Sequence, residues 1–218
     1  MDGMGSECDV LPSFDGYHEP YPFRYSMIRL FLLTFPLALL SLTVFGRMYE
    51  QFHGMSMIAA VFEPSYVNGS VTYVVDLTWI FLLLLIASMI TVIIHELVHG
   101  MIMWWYGKSV SFGVIPTKGV FYVASFGQYM TRRESILTAL GPLIVITIGA
   151  IPLMAVVPPL YAIVVFFILV VNATGAVGDI YLVWRLLHLP KGTLLYDESR
   201  DTSYLYEPKT DSSSVAHE

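Results

Sequence analysis

One cysteine, Cys8, in 218 residues leaves no partner for an internal disulfide and excludes a disulfide-stapled scaffold. Charge is scarce as well. Asp, Glu, Lys and Arg make up 13% of the chain and hydrophobic residues 56%, whereas an ordinary soluble domain is about a quarter charged. A surface wetted on all sides needs more charge than this, so the composition points to a membrane protein and excludes a disordered chain. Positive charge is scarcest, with 11 Lys and Arg against 17 Asp and Glu for a net charge of −6. Nucleic acid is therefore excluded as a partner, because phosphate contacts need clustered cations.

What the chain has in place of charge is apolar length. A bilayer core of about 30 Å needs roughly 20 apolar residues of helix. Four runs qualify: about 27–45 (MIRLFLLTFPLALLSLTVF), a second from near Leu77 through FLLLLIASMITVII to Trp104 and Trp105, about 136–157 (ILTALGPLIVITIGAIPLMAVV), and, after Pro158 and Pro159, about 160–187. The stretch 107–135 differs. Polar and apolar residues alternate from Gly107 to Val114, and Gly119 then introduces Val-Phe-Tyr-Val, which predicts short strands in a hairpin at the membrane surface. The fold class is thus an all-α polytopic membrane protein, with about four main transmembrane helices and one short membrane-associated β-hairpin. Met1–Ser26 holds no short apolar core of the signal-peptide kind and reads as a polar tail. From Asp197 onward the chain is acidic and poor in apolar residues, which predicts a mostly disordered tail. The chain divides into a tail at 1–26, a membrane domain at 27–196 and an acidic tail at 197–218.

Basic residues set the orientation, since cytoplasmic loops retain Lys and Arg. Arg24 and Arg29 precede the first span. Lys108, Lys118, Arg132 and Arg133 lie between the second and third, and Arg185, Lys191, Arg200 and Lys209 follow the fourth. Only Arg47 falls on the other side, so both termini are expected in the cytoplasm of a multi-pass protein of the cell membrane. The outer loop carries the sequon Asn68-Gly69-Ser70, too short a pattern to bear weight.

One motif carries chemistry: His95-Glu96-Leu97-Val98-His99 in the second apolar run. Helical residues four apart share a face, so two imidazoles can hold one metal ion with Glu96 beside it as general base. Zinc suits two neutral imidazoles and a carboxylate, with a fourth position left open for chemistry. Ionisable groups at bilayer depth are costly unless they pair, ligate or line a wet cavity. Asp179 is the candidate third ligand, the only acid in the apolar part of the last run. His99 lies five residues before Trp104 and Asp179 five before Trp184. At 1.5 Å per residue both stand about 7–8 Å above their interfacial aromatics, so they can meet. Gly175 and Gly178 would let that helix approach the metal closely or bend. Glu134 is a rival ligand within Arg132-Arg133-Glu134. Asn172, polar at depth, would bind an extended substrate backbone or a developing oxyanion, or else bridge helices. Gly141-Pro142 would kink the third span and open a water path, or only adjust packing.

The histidine pair late in one span, a Gly-rich loop with short strands after it, and Asn172 with Asp179 in a later span resemble site-2-type intramembrane metalloproteases. More closely, about Leu77–Asp197 is similar to a family of small zincin peptidases of unknown function, with Leu140-Gly141-Pro142, Gly175-Ala-Val-Gly-Asp179 and Leu189-Pro-Lys-Gly192 among the shared features. The resemblance implies that His95, His99 and Asp179 hold Zn2+, that Glu96 activates water and that Asn172 lies near the substrate. One departure is that Asp179 is followed by Ile180, where site-2 proteases usually carry Asp-Gly. The expected activity is zinc-dependent cleavage of a membrane-protein or peptide substrate in or beside a transmembrane helix. The competing expectation is a non-catalytic membrane scaffold or chaperone that needs no metal. A metal transporter fits less well, because the first and third runs offer almost no polar groups.

Overall fold

The structure, a computed structural model, describes residues 11–62, 64–67, 70–73, 77–115, 120–199 and 202–209. Cys8, Asn68 and Gly69 of the sequon, and Lys118 and Gly119 of the expected hairpin lie outside the described residues. Six helices carry the fold: α1 (Met27–His53), α2 (Met57–Val61), α3 (Leu77–Trp105), α4 (Arg132–Val156), α5 (Pro159–Gly175) and α6 (Val177–Leu187). The strands are β1 (Tyr21–Phe23), β2 (Pro64–Val67), β3 (Ser70–Tyr73), β4 (Ser111–Ile115), β5 (Val120–Ala124), β6 (Gln128–Thr131), β7 (Leu194–Asp197) and β8 (Ser203–Tyr206).

Local chemistry sets the helix ends. The Ser26 hydroxyl accepts the Arg29 N–H at the start of α1, and Gly54, at φ +67°, closes its other end in the left-handed region that glycine adopts freely. That helix runs eight residues past the uncharged stretch, with Arg47 and Glu50 paired at 3.0 Å on its polar extension. At the start of α4, Thr131 and Glu134 form a reciprocal capping box. The last apolar run is broken: α5 and α6 meet at Ala176 with a bend of 41°. A Cβ added at Gly175 or Gly178 would meet nothing within 4 Å, so these glycines accompany a bend and not a close approach.

Helix α5 packs against α1, α3 and α4, and the core between them contains Phe45, Tyr49, Met154, Phe166 and Leu169. The outward faces are apolar too, with Phe31 78% and Trp105 88% exposed. Three helices, namely α1, Ile80–Trp105 of α3, and α4, are long and apolar enough to cross a membrane, and α5 with α6 makes a fourth if the bent pair is one span.

The hairpin β4–β5 forms as expected, pairing Phe112 with Val123 and Gly113 with Tyr122. The rest of the β-structure corrects the all-α expectation. β1, β8, β7 and β6 form a four-stranded antiparallel sheet at the helix ends where α1 and α4 begin and α6 finishes. Tyr21 pairs with Leu205, and Leu195 pairs with both Leu205 and Met130. Two segments read as tails therefore supply strands: β1 from the polar N-terminal tail and β8 from the acidic tail that was expected to be mostly disordered. The physical reason is burial. Phe23, Leu195 and Leu205 pack with Tyr181 and Leu186 of α6 into a second core that neither tail could build alone.

Candidate metal centre

Helix α3 sets His95 and His99 one turn apart on the face turned toward α4, α5 and α6. The break at Ala176 starts a new helix inside an apolar run, and Asp179 sits in its first turn. The unsatisfied N–H groups there favour a carboxylate, so the bend creates a place for an acid at this depth. Asp179 Oδ2 lies 3.1 Å from His95 Nε2 and 3.5 Å from His99 Nε2, and one ligand atom from each of the three residues falls within 4.8 Å of the others. Around an ion with ligand arms of about 2.0–2.1 Å, tetrahedral ligand atoms sit roughly 3.3–3.4 Å apart. The two histidine–aspartate spacings bracket that edge, and two imidazoles with a carboxylate are a donor set zinc accepts, so the residues fit the metal.

The protons on the histidines follow from their other partners. His99 Nδ1 lies 2.8 Å from the Thr138 carbonyl, which can only accept, so Nδ1 carries the hydrogen and Nε2 is free to ligate. Pro142 explains why that carbonyl is available: it stands four residues after Thr138 and has no N–H, so the helical bond that would occupy the Thr138 oxygen cannot form. The expected kink residue thus frees a carbonyl for the metal ligand. His95 Nδ1 lies 3.0 Å from Asn172 Oδ1, while Asn172 Nδ2 donates to the Pro142 carbonyl at 3.5 Å. The second contact turns the amide so that its oxygen faces His95, which fixes the His95 tautomer in the same sense.

Asn172 makes the helix bridge that the sequence left open as one of its roles: it is 1% exposed, and its amide joins α5 to His95 of α3 and to the Pro142 carbonyl of α4. Glu134 is not a ligand. It caps α4 and pairs with Lys108 at 3.8 Å. Of the remaining histidines, His53 contacts the Met154 carbonyl and His188 the Trp184 carbonyl.

Glu96, His99 and Asp179 line a cavity of about 480 Å³. Much of its wall is apolar, with Phe23, Met103, Phe121 and Leu182 contributing. The Val123 backbone N–H of β5 donates to the Glu96 carboxylate, so the hairpin holds the general-base candidate from outside the helix. Asp197 lines the same cavity and accepts the Ser203 hydroxyl at 2.7 Å. Burial pushes its carboxyl above the ordinary range, and the Ser203 contact only partly offsets this.

Two hydroxyls on the cavity wall stand out. Thr34, Ser41, Thr43, Ser88, Thr91 and Thr174 each return their hydroxyl to a carbonyl four residues earlier in their own helix. Ser135 and Thr138 of α4 do not, and their buried hydroxyls have no protein partner. Sequence reasoning missed the Thr138 carbonyl, Val123, Ser135 and Asp197. Only the first had a readable signal, since counting back four from Pro142 identifies the freed carbonyl.

No curated protein and no solved structure matches the chain. Residues 88–194, just under half of its length, match a family model described as "Putative zincin peptidase", a stretch that carries His95, Glu96, His99, Asn172 and Asp179.

Proposed function

We propose that this protein is a zinc-dependent intramembrane endopeptidase, similar in chemistry to site-2-type proteases, that hydrolyses peptide bonds within or near substrate transmembrane helices. The observation that carries the reading is the convergence of His95, His99 and Asp179 around one point, with Glu96 in the same cavity, on helices apolar enough to cross a bilayer. His95 Nε2, His99 Nε2 and an Asp179 oxygen would hold the ion. Zinc, when bound, supplies a Lewis acid that polarises the scissile carbonyl and makes water a stronger acid. Glu96 takes the proton from the attacking water and returns it to the leaving amine. Asn172 and the Thr138 carbonyl keep both imidazoles in the ligating tautomer throughout.

A helical substrate must unwind first, because its carbonyls are already bonded. Among the described residues the β4–β5 hairpin has no third strand, so an extended segment can add at its edge beside the cavity. The distribution of Lys and Arg orients the chain with both termini in the cytoplasm, which puts the four-stranded sheet on that side.

Cleavage of membrane-protein substrates by the purified wild type and by Glu96→Gln, in lipid, tests the reading. Wild-type cleavage that falls by about 10²-fold or more in the variant is the expected result, and equal rates would overturn it. Bound zinc is measured on the same samples. One ion per wild-type chain, lost in Asp179→Ala, is expected, whereas a metal-free wild type would favour a non-catalytic scaffold.

A further inference from the structure

A second cavity, of about 350 Å³, lies where the chain enters α1 and leaves α6, lined among others by Tyr21, Arg24, Arg29, Tyr181 and Arg185. Its arginines come from three segments: Arg24 follows β1, Arg29 sits in the first turn of α1, and Arg185 in the last turn of α6. None is ion-paired among the described residues, where the ion pairs use Arg47, Lys108 and the two ligand histidines. Glu207, on the neighbouring strand end, accepts the Tyr21 hydroxyl.

Positive charge predominates here, with three guanidiniums and one carboxylate, Glu207, nearby. A helix start carries partial positive charge and favours acids, yet α1, 27 residues long, has no acid in its first turn and has Arg29 there instead. Two further guanidiniums at the same cavity add like-charge repulsion. An anion relieves all of these at once, and the planar guanidinium fork matches the oxygens of a phosphate. Tyr181, 6% exposed, lines the cavity with a hydroxyl that has no hydrogen-bond partner among the described residues.

The surroundings select the source of the anion. Met27, Ile28 and Phe31, at the same end of α1, are 75%, 75% and 78% exposed. A soluble phosphate has no use for such neighbours, whereas a lipid brings an anionic phosphate and acyl chains together. We propose that Arg24, Arg29 and Arg185, with Tyr181, bind the phosphate of an anionic membrane lipid whose chains lie along the exposed apolar face of α1. The proposal rests on the membrane placement given above and not on catalysis. Tyr181 stands two positions after Asp179, so the lipid site and the metal centre share α6.

The test is thermal unfolding of the full-length protein in a neutral detergent, with dioctanoyl-phosphatidylglycerol, dioctanoyl-phosphatidylcholine or inorganic phosphate added at equal concentrations. Only the phosphatidylglycerol is expected to raise the melting temperature saturably. Its apparent affinity should fall about tenfold or more in Arg24→Gln/Arg29→Gln/Arg185→Gln. An unchanged shift in that variant, an equal effect of phosphatidylcholine, or an equal effect of inorganic phosphate would each overturn the proposal. If the triple variant does not fold, Arg24→Gln and Arg185→Gln are titrated singly, and wild-type affinity in both would count against it. Glu96→Gln is expected to keep the full shift, so a failure of the peptidase reading leaves this result separate.

Discussion

At the residue scale the centre depends on what holds the ligands as much as on the ligands. Pro142 and Asn172 are not among the three converging residues, yet each determines which nitrogen of a histidine is free. Asn172→Ala and Pro142→Ala should therefore each lower zinc affinity by about 10- to 100-fold while leaving the three ligand side chains in place. Competition against a chromogenic chelator measures this directly, and unchanged affinity in both would show that the tautomer contacts are dispensable. Asp197 gives a pH prediction. Its carboxyl is raised by burial, so the folded state prefers the protonated form. The resulting penalty is absent below the ordinary value of 3.8, grows as pH rises through the raised value, and is complete above it. Asp197→Asn should therefore gain melting temperature over wild type between acid and neutral pH, with the two converging near pH 4. A constant offset across that range would show that the carboxyl does not titrate differently in the folded protein. The histidine pair and its acid were legible in the sequence because charge at bilayer depth is rare and HExxH has a fixed helical geometry. For Asn172 the sequence left two roles open, because polarity at depth does not say which way an amide faces.

At the scale of elements, hydropathy located the long apolar helices well, since a helix apolar on nearly every side declares itself by length. The break between α5 and α6 was only half legible. Two glycines flagged a bend or a close approach, and the structure chose the bend because the new helix start accommodates Asp179. The hairpin depends on a contact that composition does not reveal. A Cβ on Gly100, the residue after His99, would lie 2.7 Å from Phe112 Cζ and 3.3 Å from Val123 Cγ1. Glycine here lets Phe112 of β4 and Val123 of β5 lie directly against the helix that carries the ligands. Gly100→Val should push the hairpin away and separate the Val123 N–H from Glu96, costing about 1–3 kcal/mol through overpacking. Activity should fall more than zinc occupancy does. Hydrogen exchange at Val123, measured beside bound zinc, tests this, and wild-type protection there would show that Phe112 simply turns aside.

At the scale of the molecule, the four-stranded sheet was the least legible feature. Its strands are three or four residues long, and two of them, β1 and β8, lie in tails of polar composition and join positions at opposite ends of the chain. Short strands announce themselves through their partners, and a partner so distant leaves no local periodicity to read. Among the described residues β1 pairs only with β8, so a chain ending before Ser203 should release it. Limited proteolysis would then cut near residues 11–25 in the truncated protein and spare them in the full chain, whereas equal protection in both would place the anchor of β1 elsewhere. The pairing of first strand with last also has a consequence for biosynthesis. Because Leu195, Asp197 and Ser203 line the cavity that Glu96, His99 and Asp179 share, that wall cannot close until β8 has left the ribosome. A nascent chain whose helices are all made therefore still holds an incomplete cleft, and the peptidase proposed above would gain this cavity wall only after β8 has been synthesised.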